Sequence, residues 1–317
     1  MLDVRRLRLL RELAHRGTIA AVADALAYTP SAVSQQLAVL EREAGVPLLR
    51  RTGRRVTLTP AGTTLAEQAE AVMALLEQAS ATLVAAKEGL AGPLRIGAFP
   101  TAVRTILPAA LVALGRDHPG LELMVTELDP ATVPDALRTG TLDVALIHEY
   151  DYVPARPDPA LETEPLIEET IYLASSGEPP SSAELPSAGG PSALNGRPAP
   201  GDEPIGRHRD APWIMASPGT LCHAMAVHAC QIAGFTPRIR HHADDFATVL
   251  ALVAAGQGVA LVPQLAVVGA PPAVILAPLP VRRRTRIAYR RGTRRHPAVS
   301  ACVAAIRDSA TRFHDGG

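Results

Sequence analysis

The sequence predicts an α/β protein with an N-terminal, all-α helix-turn-helix head and a small hairpin wing. Three observations carry this. Residues 18–41 (TIAAVADALAYTPSAVSQQLAVLE) read as two short helices about a tight turn. Residues 60–90 place apolar side chains on heptads. After the Gly89-Leu90-Ala91-Gly92-Pro93 hinge, strand and helix signals alternate to the end of the chain. The 317 residues therefore divide into a head (1–59), a linker and dimerisation helix (60–91) and a two-lobed α/β region (92–317).

The head begins with Leu2, Val4, Leu7, Leu9, Leu10 and Leu13, an apolar stripe able to close over the next two helices. Ala20, Ala21, Val22, Ala25 and Leu26 give the first of these a small apolar face. Tyr28-Thr29-Pro30 ends it. Thr29 is a good N-cap, and Pro30 takes a first-turn position where its missing N–H had no partner to lose. The second helix buries Val33, Leu37 and Leu40 and turns Ser31, Ser34, Gln35 and Ala38 outward. Such a face suits a DNA major groove. Gln can bond adenine N6 and N7 together, Ser can bond several base edges, and Ala can pack on a thymine methyl. A plain surface hairpin of helices is the alternative on this stretch alone.

Gly45-Val46-Pro47 ends the second helix, and residues 48–58 read as a hairpin. Val56 and Leu58 face one way and Thr57 the other. Arg50, Arg51, Arg54 and Arg55 surround Gly53, making a basic wing for phosphates or a minor groove. A solvated charge cluster is the alternative. The whole chain has zero formal net charge, but residues 1–60 hold ten Arg against five acidic residues. The positive charge thus sits where the helix-turn-helix sits.

Thr59-Pro60 repeats the cap-and-proline signal at the start of a long helix running to about residue 90. Leu65, Val72, Ala79 and Ala86 hold one seam position; Ala69, Leu76, Leu83 and Leu90 hold the other. Four heptads flanked by Glu67, Gln68, Glu70 and Glu77 predict a pairing helix. Packing on its own domain is the alternative.

In the α/β region, strands are predicted at 94–99, 121–128, 142–148 and 166–175, with helices at 101–114 and 134–139. This βαβαβ order gives an open parallel sheet. Residues 176–206 hold seven Pro, six Gly and five Ser and almost no large apolar side chain. They read as a disordered insertion, because so little burial cannot offset ordering entropy. The α/β pattern then resumes with strands at 212–216, 238–242 and 259–262 and helices at 217–233 and 246–255. Strands at 274–279 and 284–289 follow, the first returning to the earlier unit, and an amphipathic helix at 296–313 closes the chain. Two lobes with crossing connections leave a cleft.

A ligand in that cleft is expected to touch Ala98, Phe99, Pro100 and Thr101 on one side and Ser217, Pro218, Gly219 and Thr220 on the other. Both stretches follow a strand and open a helix, where open α/β sheets bind ligands and where free N–H groups favour an anion. His148 and Tyr150 are expected at the floor, and Val262-Pro263 on the hinge side. Thr101 and Thr220 as ordinary N-caps is the alternative. Glu149 and Asp151 nearby would favour an amine, so an amino acid or small organic acid fits both facts.

Composition excludes some classes. No apolar run is long enough to span a membrane and no signal peptide is recognisable, which predicts a cytoplasmic protein. Cys222, Cys230 and Cys302 form no CxxC pattern and read as reduced, mostly buried thiols. Asp143, His148, Glu149, Asp151, His223, Asp244 and Asp245 could be paired on paper as acids and bases. No nucleophile elbow, phosphate loop or HExxH spacing accompanies them, so neither an enzyme nor a metal site is predicted.

The N-terminal run resembles the LysR-type transcriptional regulators. The matching residues are Thr29-Pro30-Ser31-Ala32-Val33-Ser34-Gln35-Gln36-Leu37, Leu40-Glu41, Gly45, Pro47-Leu48-Leu49-Arg50-Arg51, Arg54 and Leu58-Thr59-Pro60-Ala61-Gly62. Gly256-Gln257-Gly258-Val259-Ala260-Leu261-Val262-Pro263 looks like the family's GxGVxxxP turn. Leu49 stands where the family usually has Phe, and the 176–206 insertion replaces a short connection. The resemblance implies a winged helix-turn-helix on double-stranded promoter DNA and a periplasmic-binding-protein-like effector domain. It also implies a homodimer or homotetramer, with RNA polymerase as a further candidate partner, and control by a small-molecule effector without any cofactor. A transport-type binding protein is the rival that shares the second fold. The missing export signal and the attached head oppose it.

Overall fold

A computed structural model describes residues 1–52, 55–86, 89–153, 157–177 and 204–315, with backbone alone at 51, 52, 55 and 313–315. The head contains α1 (Val4–Arg16), α2 (Ile19–Leu26) and α3 (Pro30–Ala44). Each has a side-chain N-cap: Asp3, Thr18 and Thr29. Gly45 ends α3 in the left-handed conformation at φ 70°, where a side chain would be strained. Leu7, Leu10, Val22, Val33, Leu37 and Leu40 form the aliphatic core that the periodicity predicts. The wing is β1 (Leu49–Thr52) and β2 (Arg55–Leu58), antiparallel, with Leu49 opposite Leu58 and Arg50 opposite Thr57.

The linker helix α4 spans Pro60–Ala85. Thr59 caps it by accepting from the Gly62 N–H, and its hydroxyl donates to the Pro47 carbonyl, tying helix to wing. Gly62 is required here: a Cβ would lie 2.1 Å from the Leu48 carbonyl oxygen. The predicted seam needs a correction. Ala69 is buried in the head's own core and Leu65 packs against it, so these two face α1 rather than a partner. Leu76 and Leu83 remain exposed, joined by Leu75. Of the predicted final turns, residues 87 and 88 lie outside the described residues, and Leu90 belongs to the connection.

The remainder is built on one six-stranded sheet in the order β4-β3-β5-β10-β6-β9. The strands are β3 (Gly92–Ala98), β4 (Leu121–Glu127), β5 (Val144–Tyr150), β6 (Leu161–Ser176), β9 (Ala260–Pro263) and β10 (Val274–Arg290). β3 pairs parallel with β4 and β5, as predicted; β10 and β6 run antiparallel and carry the sheet from one lobe into the other. A second sheet pairs β7 (Pro212–Met215) with β8 (Arg238–His242) and joins β9 through Trp213 and Val259. The helices are α5 (Pro100–Thr105), α6 (Leu107–Asp117), α7 (Val133–Thr139), α8 (Leu221–Ile232), α9 (Phe246–Ala254) and α10 (Pro297–Asp315).

Four expectations are corrected. The 101–114 helix is two, because Pro108 cannot donate an interior helical bond and starts a new helix after Ile106. The strands at 274–279 and 284–289 are one long β10, bent by an irregularity between Pro278 and Arg282; its second half, not its first, returns to β5. The 166–175 strand begins five residues earlier to match β10. The ends of the 176–206 stretch belong to the fold: Ser176 pairs with Val274, and Ile205 is buried beside Trp213. Residues 178–203 of that insertion lie outside the described residues.

The first lobe buries Ile96, Ile106, Leu146, Ile287 and Val303; the second buries Trp213, Met225 and Leu261 on one side of its sheet and Val249, Val253 and Val262 on the other. Such side chains contribute roughly 1.5–3 kcal/mol each when fully buried.

Candidate nucleic-acid interface and effector cavity

On α3 the structure exposes Ser31, Gln35 and Ala38 along one face, with Ser34 half-buried beside them. Thr29 and Pro30 are exposed at the helix start; the Thr29 Oγ1 accepts from the Ala32 N–H and lies 3.1 Å from Ser31 Oγ. Glu41 fixes the wing to this helix by accepting from the Leu48 and Leu49 N–H groups, both at 2.9 Å. Arg50 is exposed on β1; Arg51 and Arg55 occupy wing strand positions, and Arg54 lies outside the described residues. The head therefore presents one polar helix face beside a short hairpin with an exposed Arg50, groups able to bond base edges and phosphates.

A cavity of about 280 Å³ lies between the lobes. Of the residues expected to touch an effector, Phe99, Pro100, Thr101, His148 and Thr220 line it. The other expected residues do not. Ala98 is fully buried in the first lobe's core. Tyr150 is buried with its hydroxyl 3.2 Å from Cys222 Sγ. Val262 faces the α9 side of its sheet, among Val249 and Val253, because the period of two turns it away. Ser217 gives its N–H and hydroxyl to Asp244, and Gly219 serves the turn before α8 at φ 94°. Glu149 and Asp151 are off the cavity; Asp151 accepts from the Arg282 N–H and pairs with Arg284 at 2.6 Å.

The two threonines differ. Thr220 is an N-cap: it accepts from the His223 N–H and donates to the Ser217 carbonyl. Thr101 caps nothing. Its Oγ1 accepts at 3.1 Å from Arg283, the residue that organises the wall. Arg283 is 1% exposed and donates twice to Glu169, from Nε at 2.8 Å and Nη2 at 2.9 Å. Glu169 also accepts from the Leu265 N–H and the Thr285 hydroxyl. Tyr150, Arg283 and Glu169 stand in one row across β5, β10 and β6, so sheet register sets this contact. The guanidinium lies 4.8 Å from the Phe99 ring centroid. Arg283, Cys222, Asp129, Asp244 and Phe246 are cavity residues that the cleft reading missed.

His148 stands opposite Thr285 on the next row and packs edge-on against Phe99 and Tyr150. It is 5% exposed, and neither ring nitrogen has a hydrogen-bond partner among the described residues. Burial, reinforced by the Arg283 charge, holds its pKa well below the usual imidazole range, so the ring is neutral.

A larger cavity of about 380 Å³ lies where head, linker helix and first lobe meet. Three of its five arginines are already engaged: Arg11 by Glu12 and Glu70, Arg138 by Asp135 and Asp158, Arg290 by Glu77. It reads as a junction between parts of the chain rather than a ligand site. Among the described residues no group of His, Cys, Asp and Glu could hold a metal, and no helix is long and apolar enough to cross a membrane.

Two family models match the chain: the bacterial regulatory helix-turn-helix protein, lysR family, over residues 4–63, and the LysR substrate binding domain over residues 87–311. A curated relative from Mycobacterium avium, "Probable hydrogen peroxide-inducible genes activator", is 31% identical over 82% of this chain and 78% of its own length. The HTH-type transcriptional regulator TfdS of Cupriavidus pinatubonensis is 30% identical over 83% and 82%. Among solved structures, the Corynebacterium glutamicum OxyR C206 mutant superposes with a TM-score of 0.55 at 25% identity, covering 100% of this chain and 95% of that one. With a helix-turn-helix head, a linker helix and a two-lobed domain enclosing a cavity, the chain belongs to the LysR family of DNA-binding transcriptional regulators with an effector-binding domain.

Proposed function

We propose that a small molecule of amino-acid or organic-acid size, held between the lobes, sets how this chain engages promoter DNA. The observation that carries the reading is His148: a buried, neutral ring with two unpartnered nitrogens, facing a cavity walled by both lobes. A buried polar group without a partner costs free energy, and a ligand that supplies one recovers it. Ser34 and Gln35 read bases; Thr29, Pro30 and Ser31 sit at the groove; Arg50, Arg51, Arg54 and Arg55 hold phosphates. The exposed Leu75, Leu76 and Leu83 favour pairing of two linker helices, as a dimer or within a tetramer. The protein acts in the cytoplasm, at the nucleoid when bound, with RNA polymerase as its transcriptional partner.

The name of the Mycobacterium avium relative raises a second reading, thiol oxidation. The chemistry of this chain favours a ligand. A thiol attacks peroxide as its thiolate. Burial raises the pKa of Cys222 and pushes Cys230 and Cys302 up to about 12. Cys222 and Cys230 also lie eight residues apart on α8, about 12 Å along a helix, beyond the span of a disulfide.

Footprinting on DNA flanking the protein's own gene, with and without a metabolite panel, tests the proposal. An active metabolite should change the footprint of the wild type and not of Thr101→Val. A response equal in both removes the cavity from the mechanism, and a response to peroxide alone favours the thiols.

A further inference from the structure

The charge of the cavity narrows its ligand beyond size. Among the described residues, its one cationic wall group, Arg283, is neutralised by a buried, bidentate carboxylate, Glu169. A carboxylate ligand would therefore meet no free positive charge on that wall. The mouth carries the opposite sign: Glu127, Asp129 and Asp244 all line it and all are exposed. The floor is uncharged but unsatisfied. A neutral imidazole has one donor and one acceptor, and His148 uses neither on the protein. Thr101 Oγ1 accepts from Arg283, which leaves its own proton to give.

We propose that the effector is a primary amine whose second polar group is an uncharged amide or hydroxyl, the ammonium at the acidic mouth and the neutral group on His148 and Thr101. This rests on the cavity being the effector site. The ammonium meets carboxylates that the folded chain already brings together. The amide or hydroxyl both donates and accepts, matching what the imidazole leaves open. An organic acid inverts both preferences.

Calorimetry on the full-length protein with four probes of one carbon skeleton tests this: 4-aminobutanamide, 4-aminobutanoate, butanamide and succinate. The amino amide should bind at least about tenfold more tightly than the amino acid, since the latter sets a carboxylate against a neutral floor. Succinate should give no heat. Glu127→Gln should weaken the amino amide severalfold and leave butanamide unchanged, because it removes charge and not shape. His148→Phe keeps the ring between Phe99 and Tyr150, and should abolish binding while leaving the melting temperature equal or higher. A fall in melting temperature with His148→Phe would mean that the ring serves packing alone, and overturns the proposal. So does tighter binding by succinate, or no binding by the amino amide. Succinate binding that His148→Phe abolishes would refute the ligand class yet keep the cavity as the site. Binding of every probe unchanged by His148→Phe would refute the cavity itself.

Discussion

Replacing Arg283 by Met should cost the effector domain about 3–5 kcal/mol, the penalty for leaving a buried carboxylate without its cation. The structure gives the reason in full. Glu169 is 2% exposed, and the guanidinium supplies two of its four donors. Met fills much of the same space but returns neither bond nor charge. For a domain of this size, each kcal/mol shifts the melting temperature by roughly 2–4 °C, so a fall of about 6–20 °C is expected. Adding Glu169→Gln to Arg283→Met removes the stranded charge and keeps an acceptor for the Leu265 N–H. The double variant should therefore recover most of the loss. Urea titration of wild type, Arg283→Met, Glu169→Gln and the double variant closes the cycle. A double variant no more stable than Arg283→Met alone would refute the charge argument and leave only lost packing against Phe99 and Thr101.

Other expectations concern the head and linker. Gln35→Ala should lose about 1–3 kcal/mol on the operator and little on random DNA, while Arg50→Ala should weaken both and flatten the salt dependence; equal losses on both DNAs for Gln35→Ala would remove it from base reading. Leu76→Asp with Leu83→Asp should give a monomer in sedimentation at micromolar concentration, because paired linker helices would bury both charges. Gly62→Ala should loosen the wing, since the new methyl meets the Leu48 carbonyl, and faster amide exchange at Leu48 and Leu49 would report it. Glu12 gives the head a pH dependence. Burial raises its pKa, but Arg11 and Arg16 outweigh that and hold it below the ordinary carboxylate value. A lowered folded pKa contributes stability above the unfolded value, lost as pH falls through the folded one. Acid unfolding of the head should thus be less steep in Glu12→Gln than in the wild type.

The head was almost wholly legible. Its helices are set by local signals: Thr29-Pro30, Gly45, and a stripe of Val33, Leu37 and Leu40 whose period admits one buried face. The cavity was half legible. Phe99, Thr101 and His148 follow from strand ends, a local rule, whereas Arg283 depends on pairing across three strands. A trace of it was present. Leu279, Val281, Arg283, Thr285, Ile287 and Tyr289 alternate with period two, and all six are buried. Breaking the strand at 280–283 put Arg283 in a turn and hid the alternation. The linker seam failed at Ala69 for a related reason: heptads report apolar faces, not which neighbour covers them, and α1 covers this one.

The long β10 has a mechanical consequence. Arg283 touches the cavity, and seven residues on, Arg290 bonds Glu77 of the linker helix, on a strand paired without interruption to β5. Just beyond, Gly292 lets the chain approach the Ala74 carbonyl so closely that a Cβ would sit 2.3 Å from it. About 23 Å of extended chain separates the two ends, with no loop in which motion could dissipate. Cavity wall and helix anchorage thus lie on one strand, regular against β5 and irregular against β6 between Thr285 and Arg286. A displacement of Arg283 along this strand is therefore expected to reach the Arg290–Glu77 contact, on the helix that carries the head.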